Sequence, residues 1–261
     1  MPAFEAFTKE QRVKLLLIGD SGSGKTGLLS TLANQGYNLR ILDLEGNLNV
    51  MNSYLTPEGR KRVHYFPLDP SNEKTLQAFN ALIRRWKVNS DEDLGDVKTW
   101  GNDDVLVVDS ATKFGEACLA GTKAPNNHLP SHYMVAGEEL KDSMHWLLGP
   151  GNLKCNVVVI AHIRYIDIPH PTIQDKTIIK AYPTCLGKTL PQSFSQDFTD
   201  VFSIKVSPVG QTIKRVIRTD ADGMLGMKSS NPSVLKTEEE FNLGVIFDKL
   251  LGKERKVLKN D

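Results

Sequence analysis

Residues 19–26 read GDSGSGKT and follow directly on the apolar run VKLLLI at 13–18. The string fits G-x-x-x-x-G-K-[ST] through Gly19, Gly24, Lys25 and Thr26, and Gly22 adds a third point of backbone freedom. A loop of this kind folds round an anion. Its segment from Gly19 through Asp20, Ser21, Gly22, Ser23, Gly24, Lys25 and Thr26 to Gly27 turns backbone N–H groups inward. Lys25 then reaches terminal phosphates, and Thr26 offers its hydroxyl to a magnesium ion. Glycine is required because a Cβ would hold the backbone away from the phosphates. The context agrees: Val13–Ile18 suits a buried strand, and KTGLLSTLAN opens a helix that stops near Gly36.

With 261 residues and 40% hydrophobic content, the chain can bury the core of one large α/β domain. The net charge is only +1, so any contact with nucleic acid must come from a local patch. Cys118, Cys155 and Cys185 are an odd number with wide spacing, which gives neither a disulfide framework nor a C-x-x-C metal signature. His128 and His132 lie four apart, but Pro130 and Ser131 break the helix that a shared metal would need. No run approaches the length of a membrane span, and MPAFEAFTKEQR is too polar for a signal peptide. A reduced, cytoplasmic protein with no membrane partner is expected.

Further along, LRILDLEG at 39–46 and RVHYFPL at 62–68 read as strands. SNEKTLQAFNALIRRW places Leu76, Phe79, Ile83 and Trp86 on one face of a helix, with Ser71 or Asn72 as its cap. Residues 88–103, with the acidic cluster DEDLGD, read as a solvated loop. DVLVVDS and NVVVIAH are buried strands, with helices expected near 112–120 and 132–148 between them. Residues 163–197 read as a long Pro-punctuated loop, and DVFSIKV and QTIKRVIRT as a hairpin joined by SPVG. Thr237 and Glu240 form a capping box before a C-terminal helix. Apolar strands alternating with helices imply a mainly parallel sheet covered on both faces.

Three residues stand where such a sheet binds ligands, at the C-terminal ends of its strands. Asp109 is placed to hold magnesium through water. Glu45, at the edge of the strand neighbouring the phosphate loop, is the candidate general base toward water. His162 ends the fifth buried run and can hydrogen-bond the γ-phosphate or the attacking water. Tyr54, beyond Glu45, is a candidate to stack on adenine.

Taken in order, GDSGSGKT, LDLEG, VLVVDS and VVVIAHIR resemble the RecA/RadA ATPase core. More closely, HYMVAGEELKDSMHWL, YPTCLGKTLPQSFSQDFTDVFSI, KRVIRT and GMLGMKSSN resemble the short phage and prophage ATPases of the Sak type. The resemblance implies an α/β, RecA-like P-loop fold, a mainly parallel sheet flanked by helices with a C-terminal antiparallel hairpin. It divides the chain into an extension at 1–12, an ATPase core at 13–231 and a helical tail at 232–261. It implies ATP and Mg2+ as cofactors, with Lys25 and Thr26 on phosphate and metal, Asp109 as the Walker B acid, Glu45 activating water and His162 as sensor. Lys228 matches a basic residue that reaches the neighbouring subunit's ATP. Single-stranded DNA would meet Arg164, Tyr165, Lys176, Lys180, Tyr182 and Lys188, which mix charge for phosphates with rings for bases.

The function implied is ATP hydrolysis in phage-type DNA recombination or single-strand annealing, in the host cytoplasm if the chain is phage-encoded. Self-association into a ring or short filament is implied too, with a single-strand-binding protein as a further candidate partner. Two departures from RecA count against long filaments: few residues precede the first strand, and CLGKTLPQ replaces the Gly-Gly of the second DNA-binding loop. Two other readings of the same loop are a small-molecule kinase and a nucleotide-stabilised module that does not hydrolyse. The only dense basic run, RKR at 60–62, lies outside a kinase's lid position.

Overall fold

The structure, a computed structural model, describes residues 12–122, 130–169, 172–173, 175–187 and 190–254. β1 (Lys14–Ile18) leads into the phosphate loop and two short helices, α1 (Lys25–Leu28) and α2 (Ser30–Asn34). There follow β2 (Asn38–Asp43), α3 (Pro57–Arg60), β3 (Val63–Pro67), α4 (Thr75–Leu82), β4 (Arg85–Lys87), β5 (Asp93–Asp96) and β6 (Asp104–Asp109). The second half holds α5 (Ala111–Thr122), α6 (Pro130–Leu148), β7 (Asn156–Ala161), β8 (Ile163–Pro169), β9 (Thr177–Pro183) and α7 (Leu190–Ser193). It closes with β10 (Asp200–Val209), β11 (Thr212–Arg218), β12 (Glu238–Glu240) and α8 (Leu243–Leu251).

One eight-stranded sheet runs in the order β12-β11-β10-β1-β7-β6-β2-β3. Its members β10, β1, β7, β6, β2 and β3 are parallel, and β11 runs antiparallel between β10 and β12. This is the α/β, RecA-like P-loop fold that the sequence led us to expect. β1 can be apolar on both faces because both are covered. Leu16 and Ile18 pack into a core under α4, α5 and α6, while Leu15 and Leu17 pack into a second core under the phosphate-loop helices and α8. At the far end of the sheet the buried Asn156 side chain accepts from Val13 N at 2.9 Å and donates to Asn102 O at 2.8 Å. Its amide satisfies chain ends that enter the sheet together. Among the described residues no helix is long and apolar enough to cross a membrane.

Several local expectations are corrected. β2 is not next to β1, because β7 and β6 stand between them. α4 ends at Leu82, and the buried Trp86 belongs to β4, where it packs beside Trp100. β4 pairs with β5, so part of the supposed 88–103 loop is a hairpin. Asn72 does not cap α4 by its side chain; it accepts from Lys74 N at the turn before it. Ile163–Pro169 and Thr177–Pro183 pair antiparallel as β8 and β9, so these parts of the expected loop are strands. Thr237 and Glu240 make no capping box, because 238–240 are β12; α8 is capped by Asn242, which accepts from Val245 N at 3.2 Å. There the eighth strand won over local capping chemistry, since sheet pairing with β11 satisfies the same backbone.

Candidate nucleotide site

The parallel strands deliver their C-terminal ends to one edge, where Gly19, Glu45 and His162 follow β1, β2 and β7 and Asp109 ends β6. Gly22 and Gly24 have φ of 74° and 99°, a left-handed backbone that a side chain would strain. The β2 turn is tied down twice: Leu44 N donates to Asp109 O at 2.7 Å, and Gly46 N donates to Asp43 Oδ1 at 2.8 Å. Glu45 is thereby aimed over the end of β6.

Lys25 Nζ donates to Gly19 O and Asp20 O, both at 2.8 Å, and lies 3.5 Å from His162 Nδ1. His162 Nε2 in turn lies 3.4 Å from Glu45 Oε1, and Ser110 Oγ donates to that same carboxylate oxygen. Lysine, histidine, glutamate and serine form one chain of contacts across the cleft. Burial pushes the Lys25 ammonium below the usual lysine range, against the pull of Asp109, Glu45 and Asp20.

Asp109 is 1% exposed. Thr26 Oγ1 donates to its Oδ2 at 2.8 Å, while its buried Oδ1 has no partner among the described residues. Burial pushes this carboxyl up to about 7, with Glu45 and Asp43 adding to the rise and Thr26 and Lys25 opposing it. A buried acid with an orphaned oxygen beside a threonine hydroxyl fits the donor set of a hard divalent cation. Thr26 and Asp109 are the residues that would hold Mg2+.

The same cleft is lined by Tyr54, Asn47, Val50, Arg215 and Phe241. Tyr54 lines the cleft with its ring against Gly27. The others were missed, as was Ser110. Ser110 had a signal in its place directly after Asp109, whereas Arg215 and Phe241 lie more than 180 residues beyond the loop and reach it only through β11 and the turn after β12. Arg215 Nε donates to Ser23 O at 3.1 Å.

Of the residues expected on DNA, Arg164 and Tyr182 are opposite one another in the β8–β9 hairpin, as are Ile166 and Lys180. Arg164, Lys180 and Tyr182 therefore share one face. Tyr165 is on the other, 51% exposed, and donates to Asp20 Oδ2 of the phosphate loop at 3.4 Å. Lys176 is exposed near the turn, Lys180 Nζ donates to Gly223 O, and Lys188 and His128 lie outside the described residues. Lys228 is not in this cleft. It bridges Val201 near the start of β10, and its Nζ donates to Gln196 O at 3.0 Å.

No curated protein matches the chain. Among solved structures, FlaH, the flagellar accessory protein of Methanocaldococcus jannaschii, is similar with a TM-score of 0.47 and 13% identity, covering 87% of this chain and 83% of that one. The KaiC-like protein PH0186 from Pyrococcus horikoshii OT3 gives 0.39 and 12%, covering 79% and 77%. An ATPase from the type III secretion system of pathogenic bacteria gives 0.41 and 12%, covering 74% and 52%. The family model AAA_24, an AAA domain, matches residues 11–229, from the first strand to just beyond β11. With a phosphate loop, a buried acid and a parallel sheet inside the matched span, this chain belongs to the AAA_24 family of AAA domains.

Proposed function

We propose that this chain binds and hydrolyses ATP with Mg2+ and couples the reaction to single-stranded DNA in phage-type recombination or annealing. Membership in a family of P-loop ATPases implies nucleotide binding, usually with Mg2+. The observation that carries the rest is the run of contacts from Lys25 through His162 to Glu45. Lys25 holds the terminal phosphates, and Thr26 and Asp109 would hold a magnesium ion whose charge would offset theirs. Glu45 accepts the proton of the attacking water, kept in place by Ser110. His162 stands at the root of the β8–β9 hairpin, so a change at the γ-phosphate reaches the face bearing Arg164, Lys180 and Tyr182.

Lys228 is exposed and away from its own cleft, which favours action on a neighbour's nucleotide in a ring or short filament. A mixing experiment tests this. Glu45→Gln and Lys228→Ala chains are each expected to turn over ATP at least 100-fold more slowly than the natural chain. Mixed in equal amounts, they should recover measurable turnover, because one supplies the lysine and the other the glutamate. Lack of recovery, with both variants folded, sinks the shared site. Full activity of Glu45→Gln alone would point instead to a kinase with a separate acceptor pocket.

A further inference from the structure

The cleft over the phosphate loop has two ends of different chemistry. Among the described residues its only lining carboxylates, Glu45 and Asp109, are engaged by Ser110 and Thr26 at the end where the strands converge. The other end is aromatic. A Cβ built on Gly24 would fall 3.0 Å from Phe241 Cζ and 3.4 Å from Arg215 Cδ, and one built on Gly27 would fall 3.1 Å from Tyr54 Cε2. Two rings therefore rest on the loop three residues apart, at the start of α1.

Phe241 is half-buried and anchored from behind. It packs against the core under α8 and sits between β12 and Asn242, whose side chain caps that helix. It also lies beyond the residues the family model matches, which end at 229. Arg215 is fixed by its Nε on Ser23 O, and its two Nη groups have no partner among the described residues. Guanidinium nitrogens only donate.

We propose that Phe241 and Tyr54 hold the base of the bound nucleotide by stacking, and that the site takes purine nucleoside triphosphates with little distinction between adenine and guanine. This rests on the reading of the cleft as a nucleoside triphosphate site. Stacking accepts any base, because every base has a π-face. Arg215 adds donors for N7, which both purines present. Strong rejection of one purine needs fixed polar groups matched to its edge. Among the described residues the base end has no carboxylate to pair with guanine's N–H groups, and the Asn47 amide is exposed and can present either of its ends.

The test is calorimetric titration of the full chain with ATP, GTP, CTP and inorganic tripolyphosphate, all with Mg2+. The natural chain should bind ATP and GTP within about fivefold of one another and both more tightly than CTP. Phe241→Ala should weaken ATP and GTP by about tenfold and leave tripolyphosphate unchanged, and Phe241→Tyr should restore both. Tyr54→Ala, at an exposed position, should repeat the pattern if Phe241→Ala does not fold. Equal loss of ATP and tripolyphosphate in the alanine variants would make these residues merely structural. A preference for ATP over GTP of a hundredfold or more would overturn the purine claim. If the natural chain binds ATP no better than tripolyphosphate, the stacking slot falls while the phosphate site stands; if it binds neither, the nucleotide reading falls with it.

Discussion

Asp109 shows how much of this site is set by single residues. Its carboxyl is pushed up to about 7, chiefly by burial, so the nucleotide-free fold favours the protonated acid. Between about pH 4 and pH 7 the unfolded chain has released this proton and the folded one has not, so the group's contribution to stability falls as pH rises through that window. Asp109→Asn removes the burden. Without Mg2+ or nucleotide, the variant is expected to melt a few degrees above the natural chain at pH 8, with the gap closing toward pH 5; a gap constant with pH would contradict it. Lys25→Ala should lose nucleotide binding in the same titrations, since no other cation reaches from the loop into its centre. Glycines, Lys25, Thr26 and Asp109 were legible because local spacing defines them. Ser110, Arg215 and Phe241 were not, because tertiary packing rather than spacing brings them to the cleft.

At the scale of elements, hydrophobic runs identified every parallel strand of the sheet. The errors fell where pairing overrode local pattern. Trp86 continued a helical period yet sits in β4, and the 163–197 stretch looked structureless yet pairs over seven residues from Ile163↔Pro183 to Pro169↔Thr177. Recast as a hairpin, that stretch gives a sharper expectation for DNA. Arg164 and Lys176 are exposed on it, so replacing both by alanine should reduce the slope of log affinity for single-stranded DNA against log salt by about 1.4, read by fluorescence anisotropy. An unchanged slope would remove the hairpin from the DNA interface.

α8 supplies a second element-scale prediction. Gly244 lets it lie against the loop helices, and a Cβ there would fall 2.6 Å from Thr31 O and 2.5 Å from Gln35 Cβ. Alanine's better helix propensity is worth about 1 kcal/mol at most. Overpacking against a backbone oxygen costs about 2–3 kcal/mol, and it wins. Gly244→Ala should therefore lower Tm by roughly 2–8 °C, and a raised Tm would show that the two helices can part without cost.

For the whole molecule, one sheet order explains why motifs far apart in sequence meet. Parallel strands β1, β7, β6 and β2 end together, so the phosphate loop, His162, Asp109 and Glu45 share one edge. The last helix is tied to the same body: Gln35 Nε2 and Tyr37 OH each donate to Asp248 at 2.7 Å, and Leu243 N donates to Thr31 Oγ1 at 3.0 Å. The sequence could name every member of the sheet except β12. It misjudged which strand adjoins β1, because adjacency depends on crossovers that leave no local trace. Assembly and DNA response belong to this scale too. The measurement that tests them most directly is the steady-state rate of ATP hydrolysis with and without single-stranded DNA over a range of protein concentrations, with Lys25→Ala as the blank. We expect DNA to raise the rate, and the rate to climb more than in proportion to protein as subunits complete one another's sites. A rate indifferent to DNA and strictly proportional to protein would contradict the account.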